Sequence, residues 1–393
     1  MKLFSVAIPR KLRGFPAVAP ETQAFDVTID DWYVTAINAV PTPPMGTLVS
    51  CFVDAHVHLD KTFRVDEIGA AHGDLQAAID RTAAHSGTWD ADEIELRMDR
   101  ALFQAYAAGT RAMRTHLDWP GPKPPAALEV FIDVRYNWES RIELQFASLT
   151  PLDVLAGPDG QAIAEEVARA GGALGAFIYR NEGLEEKVEK VFNLAARNSV
   201  PLDFHVDEGL HADARGLRAV AARAQGRGWH GRVMCAHACS LSMQPREEAE
   251  ATLALCAGAG LHLVSLPTTN LYLQGAWDGT PVERGITRLR EAAAQGVSVC
   301  LATDNVADAF YPYGSYDILE TFGLGVQAGH LPSPVDWLDS VTINPAKAMG
   351  LEWDGLIRPG CLADVVLLAA RSEHELLSPE GRKRRVFRRG FEQ

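Results

Sequence analysis

Between residues 50 and 305, short runs of apolar or β-branched residues alternate with longer stretches whose apolar positions recur every three or four residues. This is the pattern of βα units repeated around a parallel sheet. The runs LVSCFVDAHV, TRAMRTHL, RIELQFASL, ALGAFIYR, VPLDFHV, GRVMCAH, LHLVSLP and VSVCLATD read as eight strands, the number that closes a TIM-type (β/α)8 barrel. The stretches between them read as helices. In ADEIELRMDRALFQAYAAG, Ile94, Met98, Ala101, Leu102 and Ala105 form one apolar stripe and Gly109 caps the end. In LEEKVEKVFNLAARN, Val188, Val191, Phe192 and Ala195 share a face, with Asn198 at the end. Further helical segments, ETFGLGVQAG and PVDWLDSVTINPAKAMG, follow the eighth strand.

Two segments lie outside this pattern. Residues 1–49 hold the strand-like AFDVTID and a Pro-rich approach, and residues 355–393 hold GLIRPGCLADVVLLAA and a terminal VFRRGFEQ. Neither end can bury a core alone. We therefore expect the two to pair into one small β-sandwich module beside a barrel spanning residues 50–354, an α/β architecture overall.

Composition narrows the function. A formal charge of −14 over 393 residues argues against a nucleic-acid partner, because neutralising phosphates needs a positive field. The exception, RKRRVFRRG at 382–390, reads as a charged edge strand in a terminal hairpin. The six cysteines form no CxxC pair and several sit in apolar runs, so they are expected as reduced thiols. MKLFSVAIPRK is too short an apolar stretch for a signal peptide and no run approaches a membrane span. These points give a cytoplasmic protein with no membrane partner.

The chemistry gathers where the strands end. In a (β/α)8 barrel the site is built at the C-terminal ends of the strands. Strand one ends in His56-Val57-His58, strand five in His205-Val206-Asp207-Glu208, strand six in His237 and strand eight in Asp304. One strand-end histidine is an ordinary structural residue, and an Asp after a strand is often a helix cap; their joint placement is what argues for a site. Side chains at i and i+2 on a strand share a face, so His56 and His58 present two imidazoles together. Three histidines and one carboxylate, His56, His58, His205 and Asp304, suit one zinc or iron(II) ion. Glu208 and His237 then stand as acid/base groups beside the water that such a metal activates. Strand four carries no lysine to bridge a second metal, and Lys61 is expected in a salt bridge at the surface or behind the ligands, in preference to a substrate contact. His116 and Asp118, at the end of strand two, are expected to shape the pocket rather than to ligate.

The strings FVDAHVHLDKTF, RTHLD, DFHVDEG, CAHA, NLYLQG, ATDNVADAFYPYGSYD, NPAKAMGL and GCLADVVLL resemble the amidohydrolase superfamily, and within it the cytosine deaminase branch. The resemblance covers nearly the whole length. It implies a mononuclear iron or zinc hydrolase, commonly oligomeric, with His56, His58, His205 and Asp304 as ligands and Glu208 and His237 in the acid/base roles. The chain departs from that branch in three places. Pro151 falls where the branch has a glutamine that reads the pyrimidine amide edge, Asn305 where it tends to have a second Asp, and Phe310 where it tends to have a Trp. The DN pair and the HLDK string resemble instead related enzymes that remove substituted amines from triazine rings.

The resemblance thus implies a deaminase that removes an exocyclic amine, as ammonia or a substituted amine, from a nitrogen heterocycle other than cytosine. Asp304 would accept the proton of the attacking water, Glu208 would protonate the neighbouring ring nitrogen, and His237 would hold the attacking oxygen. Around the ring, Gln274 is a candidate partner for a ring amide or equally a tie for its own loop, Trp119 a candidate for stacking or for loop packing, and Pro151, Asn305 and Phe310 candidates for the pocket wall. Two rivals share these residues: a cyclic amidohydrolase that opens a lactam or imide ring, and a metal-binding scaffold without catalysis. The zinc deaminases that edit nucleic acids are excluded, because the chain has no PCxxC.

Overall fold

The computed structural model describes residues 1–16, 19, 23–72 and 75–393. The N-terminal segment supplies β1 (Lys2–Ala7), β2 (Ala24–Asp30), β3 (Tyr33–Val40) and β4 (Gly46–Ser50). Eight strands of the central region follow: β5 (Phe52–Val57), β6 (Thr110–Asp118), β7 (Glu143–Pro151), β8 (Leu174–Ile178), β9 (Leu202–Val206), β10 (Val233–His237), β11 (His262–Ser265) and β12 (Ser298–Leu301). The C-terminal segment adds β13 (Val365–Leu368), β14 (Arg384–Arg388) and β15 (Phe391–Glu392). Strands β5 to β12 pair in sequence order into one eight-stranded parallel sheet, and the strands of the two chain ends form one seven-stranded sheet in the order β15-β14-β13-β4-β1-β2-β3. The architecture is a (β/α)8 barrel with a second sheet built from both termini.

The run LVSCFVDAHV, expected as a single strand, is divided. Cys51 donates its backbone N–H to Asp364 of the outer sheet and Phe52 donates its own to Gly109 beside the barrel. Both halves are fully buried. A continuous apolar run therefore carries no periodic mark of the point where the chain passes from one sheet to the other. The basic C-terminal run also differs from expectation. Strand β14 is not the edge, since it lies between β13 and the two-residue β15. Arg384 pairs with Asp317, Arg385 with Glu392, and Arg388 donates to the Tyr106 and Thr110 carbonyls, so the charges are spent within the fold.

The barrel closes by side chains more than by a ladder. Between β5 and the segment after β12 there is an isolated bridge, Val57 to Asp304. Asp54 reinforces it by accepting from Thr303 N at 3.1 Å and Thr303 Oγ1 at 2.6 Å. Inside, Val53, Ala55, Ala112, Met234, Ala236, Val264, Cys300 and Ala302 pack with Ala346 and Met349 of the helix Ile343–Met349 into one apolar cluster. Each fully buried Val or Met side chain there is worth about 1.5–3 kcal/mol. This floor holds the polar strand ends at the opposite mouth in register. The cysteines are all free thiols, and among the described residues no helix is long and apolar enough to cross a membrane.

Candidate active site at the barrel mouth

Strand register explains how the histidines reach one place. His205 on β9 pairs with Ala236 on β10, and Ala236 belongs to the barrel's inner cluster, so His205 faces inward. In β5 the register slips between Asp54 and Val57. Such a slip re-aims side chains, and it lets both His56 and His58 join the inner face after Val53 and Ala55. His237 pairs with Val206, on the outward parity, yet its ring lies 5.0 Å from that of His205. Its φ of +68° turns the side chain back over the mouth, and Asp304 has the same left-handed backbone at +63°. Non-glycine residues adopt this conformation at a cost of about 1–3 kcal/mol, and such residues gather at functional sites.

The four expected ligands converge. His58 Nε2 lies 3.2 Å from Asp304 Oδ1 and 3.3 Å from His205 Nε2, and His56 Nε2 lies 3.6 Å from Asp304 Oδ1. All four residues are buried. Both ring nitrogens of His56, Nδ1 of His205 and both Asp304 oxygens have no hydrogen-bond partner among the described residues. Burying so many unpartnered polar atoms is costly unless a cation meets their lone pairs. Two atoms each about 2.1 Å from a common tetrahedral ion lie about 3.4 Å apart, which matches the separations found. His58 Nδ1 faces the His116 carbonyl at 3.3 Å, so Nδ1 carries the proton and Nε2 keeps its lone pair. Burial, with mutual repulsion among the rings, holds His56 and His205 well below the usual imidazole range, as neutral ligands require. The residues fit a divalent metal.

His116 stays outside this set. Its ring packs 3.9 Å from that of His56, and its Nε2 lies 3.2 Å from Asp203 Oδ1, while Arg114 binds the other Asp203 oxygen at 3.0 Å. The guanidinium already supplies the positive charge that this carboxylate needs. Asp203 and Arg114 were not singled out in the sequence. The alternation of Arg114 with His116 and of Asp203 with His205 on inward positions was the available signal.

Glu208 and His237 stand beside the ligands. His237 Nδ1 is 3.5 Å from Glu208 Oε1 and 3.2 Å from Asn270 Nδ2. An amide NH2 donates, so His237 Nδ1 accepts and its proton sits on Nε2, an atom with no partner among the described residues. His237 thereby offers a donor, unlike the three histidines around Asp304. Burial first, and Asp304 second, push the Glu208 carboxyl well above the usual range, the state of an acid that can donate. Gln274, a candidate for contact with a ring amide, does otherwise: its Nε2 donates to the Glu208 carbonyl at 2.5 Å and pins that loop.

A cavity of about 230 Å³ opens over these groups. Trp119, Pro151, Asn305 and Phe310 line it, as do His58, His205, Glu208 and His237. Lys61 and Asp118 are also on its wall, with Lys61 Nζ 2.5 Å from Asp118 Oδ1. Lys61 does form a salt bridge, but a buried one facing the cavity. The helix Leu75–Ser86 covers one side with Leu75, Ile79 and Thr82. Nothing in the residue pattern marks this cover, because a short amphipathic helix after a strand reads like any other helix of the barrel. Three of the other histidines are bonded elsewhere: His262 to Ser298 at 2.9 Å, His85 to its own helix, and His211 to Tyr179.

Comparison with known proteins adds to this geometry. Residues 101–380 match the model of an amidohydrolase family. The chain is 36% identical over 378 residues to a pterin deaminase of Rhizobium rhizogenes, covering 93% of this chain and 86% of the relative. It is 23% identical over 358 residues to an N-isopropylammelide isopropyl amidohydrolase of a Pseudomonas species, covering 88% and 85%. Its fold superposes on the crystal structure of 5-methylcytosine deaminase from Klebsiella pneumoniae with a TM-score of 0.86 and 24% identity, over 100% of this chain and 97% of the other.

Proposed function

The chain belongs to the amidohydrolase family, and on that footing we propose that it is a metal-dependent hydrolytic deaminase that removes an exocyclic amine from a nitrogen heterocycle. His56, His58, His205 and Asp304 would hold one divalent ion, zinc or iron(II), both of which suit imidazole-rich ligation. Such an ion supplies Lewis acidity and a water of lowered pKa. The chain's own residues account for the rest.

The amine-bearing carbon gains an oxygen from water and loses nitrogen, so three proton positions matter. Asp304 takes the proton that the attacking water gives up. Glu208 donates to the ring nitrogen beside the attacked carbon, so that negative charge does not build up there. His237, with its proton on Nε2, donates to the incoming oxygen as the carbon becomes tetrahedral. The proton held by Asp304 then goes to the amine, which leaves as ammonia or a substituted amine, while the hydroxyl proton returns to Glu208 as the carbon–oxygen double bond forms. Trp119, Pro151 and Phe310 enclose a flat ring and exclude water.

The observation that carries this reading is the placing of a donor-competent Glu208 and His237, 3.5 Å apart, on the wall of the cavity that also opens onto His58 and His205. The pterin deaminase relative makes pterins the first rings to try. The test is ammonia release by purified, metal-loaded protein against pterins, aminopyrimidines, aminotriazines and creatinine-like rings. Release from one of these classes supports the reading. Silence across all of them and across their N-alkylamino counterparts, the latter followed by amine release with metal bound, overturns it in favour of ring opening.

A further inference from the structure

Lys61 is a buried cation that the deamination chemistry above does not use. Its side chain is 4% exposed, and its Nζ bonds Asp118 Oδ1 at 2.5 Å. The face of Phe310 lies 5.3 Å from the same nitrogen. An ammonium has three N–H donors, and among the described residues no second hydrogen-bond acceptor takes one. Asp118 is anchored by its backbone, which donates to Asp60 Oδ2 at 3.1 Å. Its side chain is 37% exposed, and its Oδ2 has no partner among the described residues. Both residues line the cavity that holds Glu208 and His237. The adjoining wall, formed by Leu149, the cross-strand partner of Asp118, with Pro151 and Phe177, offers no side-chain donor or acceptor.

We propose that Lys61 and Asp118 form a paired donor and acceptor that reads a ring lactam, Lys61 donating to the carbonyl oxygen and Asp118 accepting from the adjacent ring N–H. The pair sits in the cavity as a side-chain carboxamide would, but with charged groups, and charge-assisted bonds in a dry pocket are the stronger kind. The substrate class is then a 2-amino-4-oxo ring, in which the amine-bearing carbon neighbours the lactam nitrogen, with an apolar edge or second ring toward Leu149, Pro151 and Phe177. This rests on the deaminase reading and sharpens it. A site built to bond a polar edge rejects an analogue lacking that edge strongly, because its buried groups are left unpaired.

The test compares 2-aminopyrimidin-4-one and pterin with their analogues lacking the 4-oxo group, in wild-type, Lys61→Met and Asp118→Asn proteins. Metal content is measured in each, and binding of the amine-free ring pyrimidin-4-one is followed by calorimetry. The wild type is expected to favour the oxo rings by at least about 10²-fold in kcat/KM. Lys61→Met is expected to lose that preference, mainly through KM, and to bind pyrimidin-4-one at least about 10-fold more weakly with its metal retained. Equal turnover of rings with and without the oxo group by the wild type overturns the inference and leaves the deaminase reading standing. Silence on both sets overturns the inference and leaves the deaminase reading to be decided by the aminotriazines and creatinine-like rings. If Lys61→Met does not fold, the wild-type preference and Asp118→Asn binding decide alone.

Discussion

Asn270 Nδ2 donates to His237 Nδ1 across 3.2 Å, and this bond places the imidazole proton on Nε2. One hydrogen bond thus separates His237, a donor, from His56, His58 and His205, whose Nε2 atoms face Asp304 or one another. Asn270→Asp reverses the bond, because a carboxylate must accept from Nδ1–H and so strips the proton from Nε2. The expected result is a fall in kcat of about 10²–10⁴, the usual range for losing a positioned acid or base, with metal content unchanged. Steady-state kinetics with metal analysis on the same sample checks it, and an Asp variant as fast as wild type would contradict the tautomer.

Glu208→Gln keeps the shape and removes the proton donor. Its activity should drop by about 10²–10⁴ while the protein still binds its metal, since Glu208 lies outside the proposed ligand set of His56, His58, His205 and Asp304. A fully active Gln variant would sink the acid role.

The ligand set predicts a stability signature independent of turnover. A metal at 100 times its dissociation constant stabilises the folded state by about 2.7 kcal/mol. Chelation should therefore lower the melting temperature of the wild type. His58→Ala and Asp304→Ala should melt at the same temperature with and without chelator, because they lose the paired Nε2 and Oδ1 that lie 3.2 Å apart. A chelator-sensitive Asp304→Ala would move the carboxylate out of the set.

Asp308 carries a pH dependence of known sign. Its carboxylate accepts from Phe310 N and Tyr311 N at 2.9 and 3.0 Å and from Asn305 Nδ2 at 2.6 Å. Burial outweighs these bonds and raises it from 3.8 to about 7. The folded state therefore holds this proton where the unfolded chain has released it. The group's contribution is full below about 3.8 and is lost as the pH rises to about 7. Asp308→Asn keeps an acceptor for both backbone N–H groups and cannot ionise. Relative to wild type it should gain about 1–2 kcal/mol between pH 5 and pH 7. Urea unfolding of both proteins at the two pH values measures this, and parallel pH profiles would contradict it.

Much of the barrel could be read from the chain because parallel strands buried on both faces leave apolar runs, and the helices between them leave stripes such as Ile94, Met98, Leu102 and Ala105. The break at Cys51 could not be read, since the run on either side is equally apolar. At the site, residues directly at strand ends were legible by type: His56, His58, His205, Glu208, His237 and Asp304. Those that set the state of another residue were not. Asn270 looks like any helix residue until its 3.2 Å bond to His237 is seen. Gln274 looks like a pocket residue until its bond to the Glu208 carbonyl is seen. Lys61 looked peripheral because its reach into the cavity depends on Asp118, 57 residues away. Such long-range pairs leave no local period.

Hydrolytic removal of an amine from an intact ring leaves an isotopic trace. Its most direct measurement is turnover of a pterin or 2-amino-4-oxopyrimidine in ¹⁸O-labelled water, with the product followed by mass spectrometry and released ammonia counted. The expected result is one labelled oxygen on the ring carbon that bore the amine, one ammonia per product, and an unbroken ring. Label in the carboxylate of an opened ring, with no free ammonia, would contradict it.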